Sequence, residues 1–430
     1  MDFEFSDEQN ILREAVRKRM QAIATPEYCR HLDREQLYPY ELYEAWVEMG
    51  LLQLPFPEEY GGLGGSVIDI TVVAEELGRI SFDLFTAWSN CVFCGLNVAR
   101  KGDEEQRRYW IPRILSGQTK MSVSMSEPGA GSDVGALRTT ARKVTSADGD
   151  HWVISGQKLW ATGAGAKGNV INVYARTDPQ AHYRKGMSLF LVDNDTPGLT
   201  LRKLDMLGRR GVGTYEIFFD DVRVPADRLI GGENRGWDCV LSGLQIERMT
   251  IAAGYCGNSQ AVVDYVLAYA KERRQFGRPI GTNQVIAHML ADMQTEVEAG
   301  RMLTWRAAWM LSQGRDALRE ISGERGVGFR SFLQRGLQDR FKLDRVFFKP
   351  GKIAGRGRVA GEPLAEPGQE SFGFFNSDLA DGFEEFLTRV FHIRGQDGDR
   401  GGCDGCWIHG KVSLSVWGTC LLYTSPSPRD

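Results

Sequence analysis

MSVSMSEPGAGSDV, Met121 to Val134, is where the chain changes texture. Its first half alternates as a strand does, which sends Ser124 and Ser126 to one face. Pro128 and the close-set Gly129, Ala130 and Gly131 then stop the strand. Small residues here let backbone approach a ligand, with Ser132 and Asp133 as hydrogen-bonding neighbours. Upstream, from Phe5 to about Lys120, the period is helical: Ile11, Ala15 and Met20 recur near helical spacing, as do Leu42, Ala45, Trp46 and Met49. The glycine-rich loop PEEYGGLGGS, Pro57 to Ser66, interrupts that pattern. Downstream, HWVISGQKLWAT, NVINVYARTD, MSLFLVDND and YEIFFDDVRVP are short β-type runs separated by turn residues. Helical periodicity returns at Trp237 and runs to about Glu320.

The order α, β, α predicts an α+β multidomain chain. A helical domain spans 1–120, a central β-barrel or β-sandwich 121–232, and the first part of a helical bundle 233–320. From Ile321 to Asp430 the sequence mixes Gly, Arg, Pro and Phe with no sustained period, and reads as an aberrant tail.

Bulk properties exclude several classes. Charged residues make up 25% of the 430 and the formal net charge is −4, so no basic field points to nucleic acid or an anionic membrane. No apolar run approaches membrane-spanning length, and MDFEFSDEQN is acidic where a targeting peptide would be basic. A cytoplasmic protein acting on a small molecule is the expectation. The eight cysteines look like reduced core thiols. Cys91 with Cys94, and Cys403 with Cys406 and His409, do not assemble four ligands in one neighbourhood, so no metal is expected.

LQIERMTIAAG, Leu244 to Gly254, places a carboxylate where a helix should be apolar. Trp237, Val240, Leu244, Ile251 and Tyr255 recur at three- and four-residue steps, and Glu247 falls on the same stripe. An ionised group there is costly unless it is paired or used. Arg248 points elsewhere, being adjacent on the helix, so Glu247 either pairs with a distant arginine or performs chemistry. In GQKLWAT, alternation puts Lys158, Trp160 and Thr162 on one face: a wall for a planar heteroaromatic ring, or a tryptophan in a β core. In KERRQFGRPIGTNQ, Arg273, Arg274 and Arg278 suit phosphate groups, or simply complement a helix C-terminus.

The motifs SDEQ, PEEYGGLGG, SEPGAGSDV, GQKLWAT, FFDDVRVP, GLQIERMTIAAG and ERRQFGRPIGTNQ occur in an order that resembles the acyl-CoA dehydrogenase family over about Phe3 to Glu320. The resemblance implies FAD held between a helical domain, a β domain and a helical bundle, in a homotetramer built as a dimer of dimers. It implies α,β-dehydrogenation of an acyl-CoA thioester to trans-2-enoyl-CoA, with electrons passed to an electron-transfer flavoprotein. Glu247 matches the catalytic base and Arg248 a substrate-contacting arginine. Val123, Met125, Ser126, Gly131 and Ser132 match flavin-lining positions, with Ser132 also touching acyl-CoA. Trp160 and Thr162 match positions over another face of the ring, and Arg273 and Gln284 positions that reach the FAD of a neighbouring subunit. Free glutamate, with a pKa near 4.3, is a weak base, and desolvation against a ligand is the usual means of raising it. An oxidase that hands electrons to oxygen is the alternative within the superfamily. A chain whose divergent C-terminus prevents flavin binding is the alternative outside it.

Overall fold

The computed structural model describes residues 4–147 and 149–321, so the tail from residue 322 onward, with Cys403, Cys406 and His409, lies outside it. Six helices come first: α1 (Asp7–Ile23), α2 (Pro26–Glu35), α3 (Tyr40–Glu48), α4 (Val67–Ile80), α5 (Phe82–Lys101) and α6 (Glu104–Leu115). Their starts are written in the sequence. Ser6, Ser66 and Asp103 each cap a helix and exchange hydrogen bonds with Gln9, Asp69 and Gln106 three residues on. Each box satisfies backbone donors that a helix start leaves open. Every position of α5 from Phe82 to Val98 is buried, so this helix is the central rod of the layer.

Eight strands follow: β1 (Lys120–Ser124), β2 (Thr140–Ser146), β3 (Gly149–Thr162), β4 (Asn169–Arg176), β5 (Met187–Asp193), β6 (Leu199–Lys203), β7 (Thr214–Pro225) and β8 (Leu229–Ile230). They form one sheet in the order β6-β7-β3-β2-β4-β5-β8, with β1 parallel to β4 from Lys120 opposite Asn169 to Ser124 opposite Val173. The Trp152 and Phe190 rings meet edge to face with centroids 5.2 Å apart, although β3 and β5 are three strand steps apart in that order. In a flat sheet those strands would stand about 14 Å apart, so the sheet curls over on itself around one core.

Strand β4 is buried along its whole length because both of its faces are covered. Ile171, Val173 and Ala175 enter the sheet core with Trp152, Phe190 and Ile217. Val170 and Tyr174 enter the helical core, and on that side Asn172 Nδ2 donates to the Cys94 carbonyl at 3.3 Å. Strand β5 divides the same way, with Met187, Leu189 and Leu191 toward the helices and Phe190 and Val192 toward the sheet.

The last described part is α7 (Gly236–Glu272), a hairpin of β9 (Arg274–Gln275) and β10 (Arg278–Pro279), and α8 (Gln284–Ser312). Helices α4 and α7 cross on glycines. A Cβ on Gly78 would collide with the Gly254 carbonyl, and one on Gly257 with the Glu75 carbonyl. Only glycine lets the two backbones approach this closely, and the crossing fixes where α7 lies above α5. Among the described residues no helix is long and apolar enough to cross a membrane, and Cys29, Cys91, Cys94, Cys239 and Cys256 are buried thiols.

Candidate active site

Val240, Gly243 and Glu247 lie on one face of α7 at helical spacing. They front a cleft of about 20 Å³ whose other walls are Phe93 and Asn97 of α5, Val123 of β1, Met125, and Tyr174 of β4. Glu247 is half-buried there, against mostly apolar neighbours. Arg248 is 3% exposed and does not line this cleft, in keeping with the rotation of about 100° per helical residue.

A larger cavity, about 320 Å³, lies between α1, α4, α7 and α8. Three of its guanidiniums are engaged with carboxylates of the same lining: Arg17 with Glu76, Arg79 with Asp264 at 2.7 Å, and Arg301 with Glu75 at 2.8 Å. Size alone therefore does not locate the chemistry. A carboxylate open to an apolar cleft is the better signature of a working acid or base.

From Met125 the chain leaves β1 into the SEPGAG loop, which is fastened to β3. The Ser126 carbonyl accepts from Leu159 N at 2.8 Å, and Glu127 and Ala130 close a turn on each other at 2.8 and 3.1 Å. The Glu127 carboxylate accepts from Arg138 N at 2.7 Å, Thr139 N at 2.9 Å and Lys158 Nζ at 2.9 Å. Lys158 Nζ also donates to the Met125 carbonyl at 2.9 Å. Gly131 is half-buried and Ser132 exposed at the outer end of this loop.

Strict alternation fails in GQKLWAT. Lys158 pairs with Ile217 and Ala161 with Tyr215, so β3 carries one extra residue between them. Ile217 and Tyr215 share a face of β7, so Lys158 shares its face with Ala161 and not, as alternation predicted, with Thr162. Trp160 takes up the bulge at φ +67, a left-handed conformation that costs a bulky residue of order 1–3 kcal/mol. Thr162 is buried behind it. Its carbonyl accepts from Asn90 Nδ2 at 3.0 Å, and its hydroxyl stands 3.2 Å from the Thr214 hydroxyl and 3.4 Å from Arg209 Nη1. The loop carrying Arg209 is tied to α5 by Asp83, which accepts from Gly211 N at 3.0 Å. Burial pushes the Asp83 carboxyl up to about 6, against the pull of that N–H and of Arg209.

Because Leu159 bonds Ser126, the SEPGAG loop and the Trp160 bulge form one continuous surface. It presents a thioether, hydroxyls, backbone amides and a half-buried indole, a donor set that fits a planar heteroaromatic ring with polar edges. Val123 and Met125 thus line the cleft with Glu247, and Ser126 is joined through Leu159 to the strand that carries Trp160. Arg273 and Gln284 do not join them: both are exposed, and Arg273 stands 26 residues beyond Glu247 on the helix that ends just before it, roughly 39 Å at 1.5 Å per residue. Sequence patterns gave no role to Glu127, Asn90 or Asn97, and set Lys158 on the wall of Trp160 and Thr162 where it instead pairs with Glu127. A lysine on an inward strand position was the available signal, since buried lysines require a partner.

Comparison with known proteins agrees with this layout. Family models match in series: the acyl-CoA dehydrogenase N-terminal domain over residues 6–118, the middle domain over 122–222 and the C-terminal domain over 234–325. A probable acyl-CoA dehydrogenase, YngJ of Bacillus subtilis, is 37% identical over 324 residues, covering 75% of this chain and 84% of that protein. The chain belongs to the acyl-CoA dehydrogenase family. Among solved structures, butyryl-CoA dehydrogenase from Megasphaera elsdenii superposes with a TM-score of 0.72 at 27% identity, covering 81% of this chain and 89% of that one. An FAD complex of PigA superposes with a TM-score of 0.72 at 26% identity, covering 80% and 89%. As a family member the chain is an oxidoreductase of the acyl-CoA dehydrogenase type, and a flavin cofactor is implied.

Proposed function

We propose that this chain removes the α- and β-hydrogens of an acyl-CoA thioester to give trans-2-enoyl-CoA, with FAD as cofactor and an electron-transfer flavoprotein as acceptor. The observation that carries this is the position of Glu247. It fronts an apolar cleft whose opposite wall, Val123 and Met125, leads directly into the loop-and-bulge surface suited to a flavin. A thioester α-hydrogen is weakly acidic, so a base must be held against it in a water-poor setting, and Glu247 fills that role. FAD, when bound, supplies the acceptor for the β-hydrogen as hydride. Val123, Met125, Ser126, Gly131 and Ser132 would line one side of the cofactor, with Trp160 and Thr162 against another. Ser132 and Arg248 would contact the thioester. Arg248 is buried and outside the cleft as it stands, so that contact would require its side chain to turn toward the substrate.

Arg273 and Gln284 would hold the FAD of a second subunit, because roughly 39 Å of helix keeps Arg273 from the cleft of its own chain. The hairpin tip supports an interface. Phe276 and Gly277 form a two-residue turn, both at positive φ, and Phe276 is 91% exposed. We take the assembly to be a dimer of dimers, with functional domains at 1–120, 121–232 and 233–320. The test is the visible spectrum of the protein purified with FAD, recorded under nitrogen while a panel of acyl-CoA thioesters is added. Bleaching of the flavin band by one member supports the reading and names the substrate class, whereas a bound flavin that none bleaches overturns it. Peroxide formation in air without another acceptor would replace the dehydrogenase with an oxidase.

A further inference from the structure

The cleft before Glu247 holds a second polar side chain that proton abstraction does not use. Asn97 is 4% exposed and lines the cleft beside Gly243. Its Nδ2 lies 3.5 Å from the Tyr174 hydroxyl, and its Oδ1 has no hydrogen-bond partner. Exchanging the two ends of the amide merely moves the deficit to Nδ2, so one amide atom is unsatisfied in either orientation. Buried amide atoms in folded proteins are nearly always partnered, so an open one that faces a cleft, as this one does, has room for a partner from outside the chain.

Packing does not require asparagine there. Phe93 one turn earlier, Val123, Met125 and Val240 are apolar, and leucine would occupy a similar volume. The facing position leaves the amide uncovered. Gly243 has no side chain, and a Cβ on it would stand 3.0 Å from Asn97 Oδ1. Gly243 is one helical turn before Glu247, about 6 Å along α7.

We propose that Asn97 is a substrate-binding residue, whose amide hydrogen-bonds a polar group of the thioester about one helical turn from the carbon that Glu247 deprotonates. This rests on the dehydrogenase reading of the Glu247 cleft. Two parts of an acyl-CoA carry such a group: the amides of the pantetheine arm, common to all of them, and a hydroxyl or carbonyl on a substituted acyl chain.

The test uses the full chain purified with FAD, as wild type and as Asn97→Leu. Non-reactive S-alkyl-CoA thioethers, with plain and with hydroxylated alkyl chains, are titrated by calorimetry. Steady-state rates with the matching acyl-CoAs are measured beside them. Asn97→Leu is expected to weaken binding tenfold or more and to raise KM more than it lowers kcat. An equal loss for plain and hydroxylated ligands assigns the contact to the pantetheine arm, and a loss confined to hydroxylated ligands assigns it to the acyl chain. Equal affinities of wild type and variant for every thioether overturn the proposal and leave the dehydrogenase reading standing. Failure of the wild type to bind any thioether takes both down. Should Asn97→Leu not fold, Gly243→Ala covers the same amide with a methyl group while keeping Asn97, and must weaken the same ligands.

Discussion

Lys158 Nζ stands 2.9 Å from Glu127 Oε1, with the two side chains 0% and 6% exposed. Their pairing decides where Met125 and Ser126 sit, because the same ammonium holds the Met125 carbonyl and the same carboxylate holds the backbone of Arg138 and Thr139. Burial drives the Lys158 ammonium down to about 8, and Glu127 offsets this only in part. Burial also opposes the charge on Glu127, but the Lys158 charge and the donors around it outweigh that and hold the carboxyl below its ordinary value. Removing one partner strands the other, so Lys158→Met should cost about 3–5 kcal/mol in urea unfolding. The double change Lys158→Met with Glu127→Gln should cost less than the sum of the single changes. Additive losses would mean that the two groups do not act on each other.

Glu247→Gln keeps the size of the side chain and removes its basicity. Flavin should stay bound with its spectrum intact, while stopped-flow bleaching by acyl-CoA slows by about 10²–10⁴-fold, the range for losing a general base. Unchanged bleaching would reassign the base.

Asp83 gives a pH dependence of unusual sign. Its folded pKa, pushed up to about 6 by burial, exceeds the ordinary 3.8. Between those values the folded chain binds more protons than the unfolded one, so this group's contribution to stability falls as pH rises from about 4 to 6. The whole effect is roughly 3 kcal/mol at 1.36 kcal/mol per unit. Asp83→Asn should flatten that part of a stability profile measured by chemical denaturation, and a slope identical to the wild type would place the titration elsewhere.

The α4–α7 crossing leaves no space for a side chain at Gly257. Gly257→Val should lower stability by at least 1–3 kcal/mol, the usual cost of overpacking, and a thermal melt is sufficient to see it. A variant as stable as wild type would show that the two helices can separate at that point.

The sequence carried the fold where residue pattern and environment agree. The helical spacing of Ile11, Ala15 and Met20 marks the first helix, and the β-type run NVINVYARTD marks a strand that turned out to be covered on both faces. Glu247 was legible because a carboxylate contrasts with its apolar stripe. Asn97 was not, since α5 is buried all round and a polar residue on it has no exposed face to contrast with. The bulge at Trp160 was hidden for another reason. One extra residue reverses the parity of everything after it, and whether it is present depends on the partner strand β7, which local spacing cannot report. The separation of Arg273 from the Glu247 cleft likewise follows only from the unbroken length of α7.

The two-sided burial of β4 has a consequence for how the chain finds its native pairing. Most strands of this kind are guarded against slipping by one place because a slip would expose oil and drown charge. Here both faces are apolar, so hydrophobicity would tolerate the error nearly as well as the correct pairing. What distinguishes the two is a pair of polar latches: Asn172 onto the Cys94 carbonyl, and Ser122 Oγ onto Asn169 at 2.7 Å. A slip by one place would turn Asn172 into the apolar interior of the sheet and Asn169 toward the helices, breaking both bonds at once, so these two amides act as the proofreading step of the domain interface.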